Sequence, residues 1–335
     1  MKLHKLVFVS SMILGTLITA SSYSWFSMWM GLEINLLSII PLFSDSKNML
    51  SSEAALKYFI TQAMASLVLL MAVIMLLLTE EFIHPQMNFA FMMMMNTALL
   101  TKVGAAPFHF WFPEVIEGLS WMNALILLTW QKIAPMMMIM VNKINTQFLI
   151  SIIFTCLVAS TLSGFNQISL RKILAFSSIN HIAWMLATMM ISLSTWTVYF
   201  LVYSLINANI VILFLMTKSF YLNQISNMLN QNKMVKLSFM INFLSLGGLP
   251  PFIGFMPKWL VINWMTNQGM ILITVTLIVT TLVMLYIYMR VLMSSMVLST
   301  EEPKISINVS SSTLSMTNFL SISSLAFCTL IPSFY

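Results

Sequence analysis

K-V-G-A-A-P-F-H-F-W-F-P-E-V-I-E-G, residues 102–118, runs on through an apolar segment to W-Q-K at 130–132. Only 7% of the chain carries a formal charge, yet Lys102, Glu114, Glu117 and Lys132 fall in this stretch together with His109. They stand among Phe, Trp, Met and Leu. Ionisable groups inside apolar segments are costly and tend to mark ion or proton pathways. Gly104, Pro107 and Pro113 also interrupt whatever helix the apolar pattern would build.

The surrounding chain decides what medium the stretch lies in. Its 335 residues are 59% hydrophobic, with a mean hydropathy of +0.93. Apolar runs near or above the roughly 20 residues needed to cross a bilayer recur along it. The short alternating segments of a membrane β-barrel are not seen. An all-α polytopic membrane protein is therefore expected, with about eleven spans at 3–21, 23–43, 51–79, 87–117, 120–141, 147–166, 173–191, 195–217, 237–266, 268–291 and 315–333. M-K-L-H-K followed by Leu6–Ala20 has the outline of a signal peptide, but a second apolar segment begins at once, so a first span is the expectation.

Threading the chain through these spans sorts its loop cations. Lys2, Lys5, Lys47, Arg171, Lys172, Lys218, Lys233, Lys236, Arg290 and Lys304 fall on the N-terminal side, and Lys143 alone on the other. That asymmetry places the N-terminus in the cytoplasm-like compartment and the C-terminus opposite.

The quoted stretch has a second copy. P-F-H-F-W-F-P-E at 107–114 is matched by P-F-I-G-F-M-P-K at 251–258, and Gly104 by Gly248, all 144 residues apart. Both lie in spans that are too long, and the threading sends the two spans across in opposite directions. Paired Gly/Pro-interrupted helices point to an inverted-repeat transport scaffold with its site at the breaks. Two five-helix repeats, 1–141 and 147–291, with a C-terminal helix at 315–333, are expected within one membrane domain.

Depth ranks the charges. Lys132 stands near mid-span, more than about 13 Å of helix rise from either end, beyond the reach of snorkelling. Pro135 is expected to disturb its helix and free a carbonyl nearby. Lys102 precedes the first break, and Lys258 follows Pro257 in the second. Glu33, in W-M-G-L-E-I-N, is the acid at the centre of an uninterrupted apolar run, with Asn35 close by. It needs a cation, and Lys102 is the candidate by chemistry alone. Desolvation penalises the charged form of an amine, which suits a reversible proton carrier. His109 and His181 have two readings, relay or satisfied core residue. Glu114 and Glu117 lie toward the basic side, where capping or solvation serves equally well. Glu53 and Lys57 form a favourable i,i+4 pair.

Other chemistries find no support. Cys156 and Cys328 make no C-x-x-C or zinc spacing, and His4, His84, His109 and His181 are scattered, so no metal site is expected. There is no Walker A motif, no dinucleotide fingerprint after a strand, and no haem or iron–sulfur pattern. The net charge of +6 reports loop asymmetry and does not point to nucleic acid.

The segments at 102–115 and 247–259, with W-M-G-L-E-I-N at 29–35 and K-Y-F-I-T-Q-A at 57–63, resemble the mitochondrially encoded subunit 2 family of NADH:ubiquinone oxidoreductase, respiratory complex I. The resemblance covers essentially the whole chain, and its methionine richness looks like an invertebrate gene product. It implies an antiporter-like membrane-arm subunit of eleven helices in the inner mitochondrial membrane, with its N-terminus in the matrix. It implies a proton path through Glu33, Lys102, Lys132 and Lys258. It also implies that NADH, FMN, iron–sulfur clusters and ubiquinone are bound by other subunits. The partners implied are other membrane-arm subunits, including neighbouring antiporter-like ones, and the lipid bilayer.

Overall fold

The computed structural model describes residues 3–45, 48–80, 85–142, 145–222, 224, 233–296 and 319. These residues are helical apart from turns and one isolated β-bridge, Ser169 with Tyr221. In order they form α1 (Leu3–Ser21), α2 (Trp25–Phe43), α3 (Met49–Glu80), α4 (Pro85–Val103), α5 (Trp111–Gly118), α6 (Trp121–Leu128) and α7 (Trp130–Val141). There follow α8 (Thr146–Gly164), α9 (Leu170–Met189), α10 (Leu193–Thr217), α11 (Lys233–Gly247), α12 (Phe255–Asn267) and α13 (Ile271–Met296). Among the described residues, six segments are long and apolar enough to cross a membrane, and three shorter apolar helices accompany them. Helix occupies each of the first ten expected spans, and both expected breaks are present. The eleventh, 315–333, lies outside the described residues, Phe319 apart.

Hydrocarbon offers no hydrogen bonds, so every polar group must be satisfied inside the protein. The helices meet this locally. Thr16, Thr19, Ser38, Ser66, Thr101 and Ser177 return their hydroxyls to carbonyls one turn earlier. Ser24 caps α2 by accepting from the Ser27 N–H, and Ser192 caps α10 by accepting from Thr195.

The chain forms two compact units, Met1–Ile152 and Ile153–Tyr335, dividing inside α8. In the first unit, α1 and α2 touch backbone to backbone. A Cβ on Gly15 would lie 2.9 Å from the Gly31 carbonyl oxygen. Small residues that allow such approach are the usual means of tight packing between membrane helices. Helix α7 packs on α1, α2, α4 and α6, and α3 packs on α2, α4 and α5.

In the second unit, α9 is the central helix, packed on α10, α12 and α13. Every residue from Ile173 to Thr188 is buried. An aromatic cluster of Phe214, Phe239, Phe243 and Tyr288 joins α10, α11 and α13, with neighbouring ring centroids 4.6–6.1 Å apart.

The helix around Lys132 carries an irregularity besides its proline. The helix holding Lys132 is interrupted at Thr129 (φ −114°, ψ −70°), whereas Pro135 lies inside α7. Proline cannot donate to the carbonyl four residues back and crowds it. Restarting the helix at Trp130 leaves only the first-turn carbonyl of Gln131 without that donor. The Thr129 hydroxyl returns to the Leu125 oxygen at 2.7 Å, and the Lys132 N–H turns tightly onto the Thr129 oxygen at 3.2 Å.

Candidate functional site

The two breaks share one backbone design. Helix α4 ends at Val103 and α11 at Gly247; α5 begins at Trp111 and α12 at Phe255. Each pair is again 144 residues apart. Gly104 and Gly248 are left-handed, with φ of 83° and 79°. The N–H of Gly104 reaches Leu100 and Thr101, and that of Ala105 reaches Leu100. Gly248 and Leu249 repeat these three bonds on Leu244 and Ser245. Phe108 to Ala105 and Phe252 to Leu249 close the next turn identically, both at 2.9 Å. This is a Schellman end, which uses a left-handed glycine to satisfy the carbonyls three and two places before the cap. It leaves the last two carbonyls of each helix open.

In the second unit those two carbonyls are taken by a lysine. Lys258, 8% exposed, donates from Nζ to the Leu246 oxygen at 3.3 Å and the Gly247 oxygen at 3.0 Å. A cation at a helix C-terminus also sits at the negative end of the helix dipole. Its ammonium lies 5.8 Å from the ring centre of Trp184 on α9. One turn back on α9, buried His181 shares a hydrogen bond with the Tyr199 hydroxyl at 2.9 Å. Its ring lies 5.0 Å from that of Tyr203. Asn207 donates from Nδ2 to the Tyr203 carbonyl at 2.8 Å, and the nearby Ser177 and Ser178 hydroxyls donate to the Leu174 and Ala175 carbonyls. This unit thus carries a buried layer of hydroxyls and one imidazole beside its lysine.

The first unit treats its charges differently. Lys102, in the last turn of α4 and 7% exposed, makes no hydrogen bond or ion pair among the described residues. Glu33 acts on it through space. No ion pair within 4 Å joins them; one carboxylate oxygen of half-buried Glu33 is buried with no hydrogen-bond partner.

Lys102 lines a small cavity with Leu32, Asn35, Leu36, Tyr58, Gln62, Gln131 and Pro135. The cavity has about 10 Å³ of room for the centre of a water molecule. Asn35 and Gln131 exchange two amide hydrogen bonds, of 3.1 and 2.9 Å, and the Tyr58 hydroxyl donates to Gln131 Oε1 at 3.2 Å.

Lys132, 1% exposed, is not among the residues lining that cavity. Its ammonium lies 5.7 Å from the centre of the Phe112 ring. His109 sits inside the first break, 8% exposed, stacked on Phe110 at 4.6 Å, with Nδ1 lacking a hydrogen-bond partner. Glu114 turns outward. It pairs with Lys57 at 3.1 Å, which also holds Glu53 at 2.9 Å, all with exposed side chains. Exposed pairs of this kind contribute little to stability.

The lysines stand out in the sequence, but the neutral polar and aromatic residues around them do not. Gln131 stands beside Lys132 in W-Q-K, and Gln62 is the penultimate residue of K-Y-F-I-T-Q-A. A polar amide in an apolar run is a weak signal, and Tyr58, Trp184, Tyr199 and Tyr203 gave none beyond their aromatic character. Among the described residues no cluster of His, Cys, Asp and Glu could hold a metal ion.

The family model described as NADH:quinone oxidoreductase/Mrp antiporter, transmembrane, matches residues 22–285. NADH-ubiquinone oxidoreductase chain 2 of Anopheles gambiae is 50% identical, over 98% of both chains. That of Oryctolagus cuniculus is 38% identical, over 87% of this chain and 85% of its own. A chain of respiratory complex I from Thermus thermophilus has the same fold, with a TM-score of 0.85, 22% identity, and coverage of 98% of this chain and 77% of that one. A chain of the Mrp complex from Dietzia sp. DQ12-45-1b follows at 0.80, with 17% identity and 89% and 61% coverage. A multi-pass helical membrane chain with these relatives belongs to the NADH-ubiquinone oxidoreductase chain 2 family.

Proposed function

We propose that this chain is a proton-translocating membrane-arm subunit of respiratory complex I in the inner mitochondrial membrane. Its N-terminus faces the matrix and its C-terminus the intermembrane space, in eleven helices. Its two halves are inverted repeats, each holding a lysine at a broken helix. Glu33, Lys102, Lys132 and Lys258 carry the proton, with His109 and His181 as relays. NADH, FMN, iron–sulfur clusters and ubiquinone belong to other subunits, and neighbouring antiporter-like subunits flank the chain.

One observation supports this most: three lysines, Lys102, Lys132 and Lys258, are only 1–8% exposed inside apolar helices. Such groups are too costly to be kept as packing. The shared Schellman geometry 144 residues apart supports the repeat. In the mechanism, Glu33 acts on Lys102; when its field there weakens, Lys102 passes its proton toward Lys132. Redox events elsewhere in the complex drive that change through subunit contacts.

The test is Lys132→Met in the assembled complex. Protons moved per NADH oxidised should fall while assembly persists. A normal ratio in that variant rejects the role of Lys132. The antiporter wording of the matched family favours one second reading, a stand-alone cation/proton antiporter. Native electrophoresis separates the two, because a free active chain would support the antiporter.

A further inference from the structure

We propose that the Asn35–Gln131 amide pair, clamped by Tyr58, is a proton-tight gate between the Lys102 cavity and Lys132. The proposal rests on the proton-carrying reading above and adds what controls exchange between its two lysines.

The first ground is position. Gln131 and Lys132 are successive on α7, so their side chains leave the helix about 100° apart. Gln131 lines the Lys102 cavity, while Lys132 is absent from the lining and lies over Phe112. Gln131 and Pro135 are therefore the wall that α7 presents to Lys102. Asn35, on α2, lines the same cavity two residues after Glu33.

The second ground is chemistry. A carboxylic acid or an imidazole can take a proton at one atom and release it from another. A neutral amide does so only through a high-energy imidic acid form. With both amide groups donating and accepting to each other, and Tyr58 donating to the same Oε1, Gln131 is held in one orientation. All three residues are at most 8% exposed. Closed, the pair blocks a hydrogen-bonded route for protons.

The third ground is what lies on the Lys102 side. The cavity suits about one water, which needs two to four polar partners. The lining residues Lys102, Gln62 and Gln131 carry such groups, and the Gln62 Nε2 is buried with no partner. Rotation of the Gln131 side chain off Asn35 would open the wall beside that water. The proton then moves from the Lys102 ammonium through water to the amine of Lys132, leaving Lys102 neutral and Lys132 charged. Tyr58, Asn35 and Gln131 are positioning residues here, since none holds the proton.

The test uses the assembled complex in inner-membrane vesicles. Passive proton conductance under an imposed pH gradient is measured without NADH, and NADH turnover separately. Gln131→Ala removes the clamp and leaves room for water. It should raise conductance about tenfold, the shift expected from losing neutral hydrogen bonds that together hold the pair. Gln131→Met fills the space with an apolar chain. It should leave conductance at the wild-type level and cut turnover. The exchanged pair, Asn35→Gln with Gln131→Asn, should return both readouts toward wild type.

Equal effects of Ala and Met on both readouts would mean a merely structural pair and would overturn the gate. Should Gln131→Ala fail to assemble, Tyr58→Phe removes one bond only. A rise of about threefold in conductance supports the gate, and no rise contradicts it. Lys132→Met in the same vesicles separates the two levels. Intact pumping there rejects the proton-carrying reading itself, whereas reduced pumping there with no leak in Gln131→Ala rejects the gate alone.

Discussion

The two helix breaks have the same backbone and opposite treatment of charge. Lys258 bends back onto the two carbonyls that its own break leaves open. The matching carbonyls of Lys102 and Val103 receive no side-chain donor among the described residues, because the position equivalent to Lys258 is Glu114. That acid has turned outward to Lys57. Lys102 instead faces a small cavity and a distant acid. The same break geometry thus accompanies one tethered lysine and one unbonded lysine. Tethering lowers the cost of burying a charge; the unbonded lysine keeps that cost, and the proposed function gives it an exchangeable proton.

The largest difference should appear at the turn into the second half of each broken helix. A Cβ on Gly254 would overlap the carbonyl oxygen of Ser245. The equivalent residue of the first break, Phe110, carries a large exposed side chain. Gly254→Ala should cost about 4 kcal/mol or more, since backbone must move against backbone. Phe110→Ala should stay within about 0.5 kcal/mol. The amount of assembled complex on native gels checks both, and equal loss would break the comparison.

Next come the lysines themselves. Lys258→Met strands two buried carbonyls and should destabilise by about 2 kcal/mol. Lys102→Met removes a buried charge that makes no hydrogen bond and should be neutral or stabilising. Thermal unfolding midpoints of the solubilised complex separate them. A drop in both would show that Lys102 has bonds comparable to those of Lys258.

The smallest contrast lies at the left-handed glycines. Alanine at either position meets a left-handed penalty of about 1–2 kcal/mol. At Gly248 its Cβ would also press on the Lys258 side chain at 2.9 Å, whereas at Gly104 it meets only the Phe112 ring at 3.2 Å. Gly248→Ala should therefore be the worse by about 1 kcal/mol, the scale of a displaced hydrogen bond. The same unfolding measurement reads this, with Gly104→Ala as its control.

Much of this was legible before any coordinates. Glycine and proline have few uses inside an apolar helix, so Gly104, Pro107, Gly248 and Pro251 announced both breaks. Charge cost singled out Lys102, Lys132 and Lys258. The interruption at Thr129 was not legible, because threonine is unremarkable in a membrane helix. Nor were the partners. The Asn35–Gln131 pair closes over 96 positions of sequence, and Lys258 finds its acceptors by folding back across its own break. The chemistry of Glu33 and Lys102 suggested a pair, yet their separation is set by helix packing, which keeps them interacting without an ion pair.

The most direct measurement is the proton-to-electron ratio of NADH oxidation in vesicles carrying Lys102→Met, in samples matched for assembled complex. A lysine that carries protons requires fewer protons moved per electron than in wild type, at undiminished assembly. An unchanged ratio would contradict the account, leaving Lys102 as a buried charge with no part in transport.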